Sequence, residues 1–108
     1  MSKPTVESRV VVAPEELGLD SRMEFRRAAF EAIEVIEAGA LKRGVLVIDF
    51  SSTRSVDSSG LGALIVVQRK AAESRIAIKL RGLSQELRFL LALTKLEDLF
   101  EIEMAEDM

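Results

Sequence analysis

Apolar positions along the chain alternate between two spacings. Val45-Leu46-Val47-Ile48-Asp49-Phe50 follows Gly44 as a β-branched apolar run, the composition of a strand buried on both faces. Ile76-Ala77-Ile78-Lys79-Leu80, closed by Arg81-Gly82, reads as a second strand. Arg9-Val10-Val11-Val12-Ala13 and Phe100-Glu101-Ile102-Glu103-Met104 predict two more. The last alternates apolar and acidic residues as an edge strand does. Between the strands the period changes to that of a helix. Phe25, Ala28, Ala29, Ala32, Ile33, Val35 and Ile36 fall on one stripe, opposite Glu24, Arg26, Arg27, Glu31, Glu34 and Glu37. Ser21 and Glu24 have the spacing of a capping box and Gly39 is a natural stop. A second helix is expected from Ser58 to about Ser74, and a third from Ser84, as N-cap, to about Thr94. Lys95-Leu96-Glu97-Asp98-Leu99 reads as a turn or a further helical turn.

The resulting order, β-α-β-α-β-α-β, predicts an α/β fold. The expected architecture is a small, mostly parallel or mixed sheet of four or five strands packed by three or four helices, in one domain over residues 1–108. No linker, repeat or low-complexity segment interrupts it. The acidic run from Glu97 to Asp107 reads as a solvated edge and tail.

Composition narrows the chemistry. With 48% apolar residues the chain can bury a core without disulfides or metal, and it has no cysteine to make either. The 18 acidic and 15 basic side chains leave a net charge of −3, and there is no Trp or Tyr, so no basic, stacking face for nucleic acid is expected. Histidine is absent as well. Without His or Cys the usual general base and the usual activated nucleophile are missing, so the expectation is a non-enzyme that needs no cofactor. The segment Met1 to Glu7 has no apolar leader-like core, and no apolar run approaches a bilayer span, so a cytoplasmic protein without membrane insertion is expected.

The stretch from Phe50 to Gly62 carries the candidate chemistry: a strand, a polar loop, then Asp57-Ser58-Ser59-Gly60-Leu61-Gly62 opening a helix. Loops at the carboxyl ends of parallel strands are where sites form, and a helix start directs unpaired N–H groups and partial positive charge outward. The residues alone leave three readings. Asp57 and Ser58 suit a plain N-cap. Gly60-Leu61-Gly62 is two-thirds of a dinucleotide fingerprint, with Ile65 where the third small residue belongs. A serine at a helix start can also carry a phosphate, which adds roughly −1.5 to −2 charges and three acceptors. Position does not separate Ser58 from Ser59. A nucleophile elbow is ruled out by the lack of G-x-S-x-G and of histidine.

On the wheel of the second helix, Leu61, Leu64, Ile65, Gln68, Ala71 and Ala72 share the expected core side. Ser59, Gly62, Ala63 and Val66 form an outward face that is small and uncharged over two turns, with Arg69, Lys70 and Glu73 only after it. Such a face suits protein docking. Met23 and Phe30 lie on the charged side of the first helix.

The strand 45–50 with Val56-Asp57-Ser58-Ser59-Gly60-Leu61-Gly62-Ala63-Leu64, and Leu80-Arg81-Gly82-Leu83-Ser84 with Leu90, Leu93-Thr94 and Leu99-Phe100-Glu101-Ile102, resembles the STAS domains, specifically the anti-sigma factor antagonists. The resemblance spans about residues 40–103. It implies a switch: the unphosphorylated antagonist binds an anti-sigma factor serine kinase and frees the sigma factor. Phosphorylation of the serine after the Asp, here Ser58, dissociates the complex, and a PP2C-type phosphatase resets it. Asp57, Ser59 and Gly60 would shape the switch loop, Gly62, Ala63, Val66 and Arg69 would meet the partner, and ATP would belong to the kinase. Pro14 to Asp20 stands where relatives carry a Gly-Glu-Leu-Asp stretch. One other role fits the same resemblance, a scaffolding subunit of a lipid-transport ABC complex or stressosome-like assembly whose serine is never modified; a third class, a small-molecule or nucleotide sensor, would use the same helix start.

Overall fold

The computed structural model describes residues 7–39 and 44–103. Four strands form one sheet: β1 (Glu7–Val12), β3 (Gly44–Asp49), β5 (Ile76–Arg81) and β6 (Glu101–Ile102), in the order β1-β3-β5-β6 with every neighbouring pair parallel. Two dipeptides, β2 (Glu16–Leu17) and β4 (Ser55–Val56), form a separate parallel pair. The helices are α1 (Arg22–Ala38), α2 (Ser58–Glu73) and α3 (Gln85–Leu93), followed by a single 3₁₀ turn at Glu97–Leu99. The fold is the α/β arrangement expected from the alternating periods. Residue 104 of the strand expected over 100–104, the segment 1–6 and the end of the acidic tail lie outside the described residues.

Each chain crossover moves one strand further in the same direction across the sheet. Because parallel crossovers are right-handed, such an order places successive helices on one face. Burial follows that rule. Val11, Leu46, Ile48, Ile78 and Leu80 alternate onto the helix side and join Phe25, Ala29, Ile33, Ile36, Leu64, Val67, Leu87 and Leu91 in one core cluster. Each fully buried Leu or Ile there contributes about 1.5–3 kcal/mol by leaving water. The second face of the sheet is partly open. Val10 and Val12 are exposed on it, and the pairs Lys79–Glu103 (3.5 Å) and Arg81–Asp49 (3.3 Å) cross it between strands.

Two sequence expectations are corrected by local hydrogen bonding and packing. The helix begins after Ser21, but no capping box forms, because the Ser21 hydroxyl donates to the Glu16 carbonyl (2.6 Å) and accepts from the Gly18 amide (3.1 Å). Ser21 therefore knits the loop before α1 instead of capping it. Val35 and Ala28, placed on the apolar stripe of α1, are exposed, and the buried line is Phe25, Ala29, Ile33 and Ile36. Ser84 does cap α3, accepting from the Leu87 amide at 3.1 Å.

Candidate functional site

The β2–β4 pair is what builds the site. The Leu17 carbonyl accepts from the Asp57 amide (3.1 Å), and the Glu15 carbonyl accepts from the Arg54 amide (2.7 Å), so the loop before α1 is laced to the loop before α2. A dipeptide strand has no periodicity to read, which is why neither strand is visible in the sequence. Both helices then start at the same edge of the structure.

Asp57 is the N-cap of α2, its Oδ1 accepting from the Gly60 amide at 2.9 Å. Its Oδ2 accepts from the Leu19 amide at 3.4 Å. The carboxylate is thus used on both sides, to start the helix and to hold the neighbouring loop. Gly60 is buried, and a methyl group there would collide with the Leu17 carbonyl oxygen. Gly18 serves the same contact from the other loop, since a side chain on it would run into the Asp57 carboxylate. Gly18 and Leu19 are site residues that the sequence reading missed. The signal available was only a glycine between two leucines ahead of a helix.

Ser58 is the first residue of α2 and is exposed, while Ser59, next to it on the helix start, is half-buried. Among the described residues neither hydroxyl hydrogen-bonds to the protein, while both carboxylate oxygens of Asp57 beside them are occupied. The site therefore presents an unengaged serine hydroxyl at a helix N-terminus, on a backbone fixed by Asp57 and Gly60. Alongside, residues 16–21 and 55–57 line a shallow groove of about 250 Å³. Among the described residues no three acidic side chains converge to hold a metal ion. Among them, too, no helix is long and apolar enough to cross a membrane.

The partner-facing residues expected on α2 divide. Gly62 is exposed and would accommodate a methyl group with nothing nearby, Val66 is half-buried and Arg69 beyond it is exposed. Ala63 is corrected: it is buried in the core at 4% exposure. The core line of α2 is Gly60, Ala63, Leu64, Val67 and Ala71, about a quarter turn from the one drawn through Leu61, Ile65, Gln68 and Ala72. The reason is close packing. Gly60, Ala63 and Ala71 are small enough to let α2 lie near α1 and β5, whereas the wheel follows the bulkier Leu61 and Ile65, which are half-buried flanks. The outward line becomes Ser58, Gly62, Ile65, Val66 and Arg69.

A family model described as "Mlab, STAS domain" matches residues 4–102. The chain belongs to the STAS domain family. Its fold is shared by TM1081 from Thermotoga maritima, solved as a candidate anti-sigma factor antagonist, at a TM-score of 0.71 and 19% identity, over 89% of this chain and 80% of that one. The anti-sigma factor antagonist SpoIIAA in its unphosphorylated form superposes with a TM-score of 0.66 and 20% identity, over 97% of this chain and 86% of the other. A sulfate transporter family protein from Wolinella succinogenes matches with a TM-score of 0.64 and 19% identity, over 94% and 79% of the two chains. No curated protein matches the STAS chain in sequence.

Proposed function

We propose that this STAS domain is an anti-sigma factor antagonist, a binding protein without catalysis of its own, switched by phosphorylation of Ser58. The observation that carries the reading is an exposed serine at the first position of α2, its hydroxyl unengaged, beside an Asp57 whose carboxylate already caps the helix. In this reading an anti-sigma factor serine kinase of the cytoplasm binds the unphosphorylated form and gives up its sigma factor. It then transfers phosphate from its own ATP to the Ser58 oxygen and dissociates, and a PP2C-type phosphatase hydrolyses the phosphoserine. The helix dipole favours the added charge by about 0.3–1 kcal/mol. Repulsion from Asp57 opposes it, so the phosphate changes the surface seen by the partner more than it changes the fold. Gly62, Val66 and Arg69, on the same line of α2, form the adjoining contact.

The test is intact-mass measurement and peptide mapping of the chain purified from its own host, with and without phosphatase treatment. Phosphate on Ser58 is expected, and Ser58→Asp is expected to abolish binding to the kinase while leaving the thermal transition in place. Phosphate on Ser59 alone would keep the switch and refute the site. The family description, which names Mlab, and the sulfate transporter family structure among the neighbours favour a second reading, a scaffolding subunit of a transport complex or stressosome-like assembly. Under that reading the serine stays unmodified in every growth condition and a stable complex co-purifies.

A further inference from the structure

The sheet ends on β1, and among the described residues nothing pairs with its outer edge. One bond shows which groups that edge offers. The Ala13 amide donates to the Asp49 carbonyl at 2.9 Å, so the backbone of Ala13 faces β3. Along a strand the N–H and C=O of one residue share a side, and those of the next residue take the other. Arg9 and Val11 therefore bond inward, while Ser8, Val10 and Val12 direct their amides and carbonyls out of the sheet. A row of unpaired backbone groups of this kind is a template for another strand. Edges that stay single usually carry a proline, a bulge or an outward charge. β1 has no proline, its register with β3 runs unbroken from Glu7 to Val12, and none of its three outward-bonding residues is charged.

The side chains around this edge are apolar on both faces. On the open face of the sheet Val10 is 49% and Val12 64% exposed, and Val10 stands beside Val47 in the register with β3. On the helix face α1 runs along the strand. At one end Val12 joins Glu24, Phe25 and Ala28 in the lining of a hollow of about 260 Å³, and at the other Gly39 lies against the Glu7 side chain. Ala28 and Val35, two turns apart and so on one side of α1, are both exposed above the edge. Both belong to the apolar stripe that the sequence predicts, yet neither reaches the core of a single copy.

We infer that β1 is the interface between two copies of this chain, whose sheets join edge to edge across a twofold axis at Val10. The occupant must bring an extended strand with unpaired groups at alternate residues and apolar side chains on the same face. β1 of a second copy brings both, and a twofold pairing closes on itself. The opposite edge, β6, is a dipeptide, so a head-to-tail array of β1 on β6 would leave most of β1 unbonded. The register follows from the residues. Outward groups must meet outward groups, so even-numbered residues stand opposite even-numbered ones. A centre at Arg9 would set it against the partner's Arg9, like charge on like. A centre at Val11 would set Ser8 against the partner's Pro14, which has no N–H. A centre at Val10 sets Val10 against the partner's Val10 and Ser8 against the partner's Val12, so every outward amide finds a carbonyl. Because α2 packs between α1 and β5, away from this edge, both Ser58 sites stay open in the dimer.

The experiment measures the mass of the full chain by sedimentation equilibrium over a concentration series. A rise from 11.9 kDa towards twice that mass is expected as concentration increases. Val10→Lys sets like charges opposite each other at an exposed position. It is expected to weaken the dimer about tenfold and to leave the thermal transition in dilute solution in place. Since the chain has no cysteine, single cysteines read the register through a short bismaleimide. Val10→Cys is expected to cross-link to a dimer, its two Cα atoms lying about 5.5 Å apart. Val12→Cys alone is expected not to, its two copies being offset by about 13 Å along the strands. A mixture of Val12→Cys and Ser8→Cys is expected to link. A mass of 11.9 kDa at every concentration would overturn the inference and leave the edge to a strand from another protein. So would a dimer that Val10→Lys leaves intact, or one in which Val12→Cys links to itself as readily as Val10→Cys.

Discussion

Two corners of the molecule are made from the same residue types. At the ends of β3 and β5, Asp49, Ser51 and Gly82 come together; at the start of α2, Asp57, Ser58 and Gly60 do. In the first corner every group is occupied. Asp49 Oδ1 accepts from the Ser51 amide at 2.8 Å and its Oδ2 meets Arg81 at 3.3 Å. Hydrogen bonds from Ser51, hydroxyl first and then amide, hold the Asp49 carboxyl below its usual range, with Arg81 adding to the effect. Gly82, at φ +74°, closes tightly onto Ser51. In the second corner the carboxylate and the glycine are equally occupied, but the serine is not. What distinguishes a structural corner from a candidate site is the group left over after local bonding is complete.

The largest test of that contrast is Gly60→Ala, expected to cost about 2–3 kcal/mol in urea unfolding because its methyl group meets the Leu17 carbonyl rather than a movable side chain. Gly62→Ala, two positions along the same helix with open space around it, should instead gain about 0.5–1 kcal/mol. If both lose stability alike, the close approach of the two loops is wrong.

Acid unfolding probes the closed corner. A carboxyl depressed by its folded partners adds stability above its unfolded value near 3.8, and that stability is lost as pH falls through the lower folded value. Wild type should therefore lose on the order of 1 kcal/mol more than Asp49→Asn as pH drops from about 5 to about 2, measured by denaturant midpoints. Parallel curves for the two proteins would remove the ion pair and Ser51 bonds from the account.

The smallest effect belongs to the open corner. Ser58→Ala should change the unfolding free energy by less than about 0.5 kcal/mol, the range of surface substitutions without a structural role. Ser51→Ala should cost about 1 kcal/mol by removing a hydrogen bond to a charged group. A Ser58→Ala loss as large as that of Ser51→Ala would mean that its hydroxyl is engaged and that the two corners are the same kind of structure.

Much of the fold is legible in the residue pattern. β3 and β5 announce themselves by β-branched runs, α2 by Asp57-Ser58 ahead of it and α3 by Ser84, because each depends on neighbours within a few positions. The site was legible as far as Asp57, Ser58 and Gly60, where helix-start chemistry is local. Gly18, Leu19 and the facing of Ala63 were not, since they are set by a residue 38 positions away or by how closely a helix can approach.

By itself the sequence determined the order of the main strands and helices, the exclusion of His and Cys chemistry, and the serine at the head of α2, all consequences of composition and short-range bonding. The tertiary structure alone decided which side of α2 is buried, because Gly60, Ala63 and Ala71 pack by their smallness and not by hydrophobic weight. It also decided how the head of α2 is held, since the Leu17 carbonyl and the Leu19 amide that meet Asp57 arrive from the loop before α1.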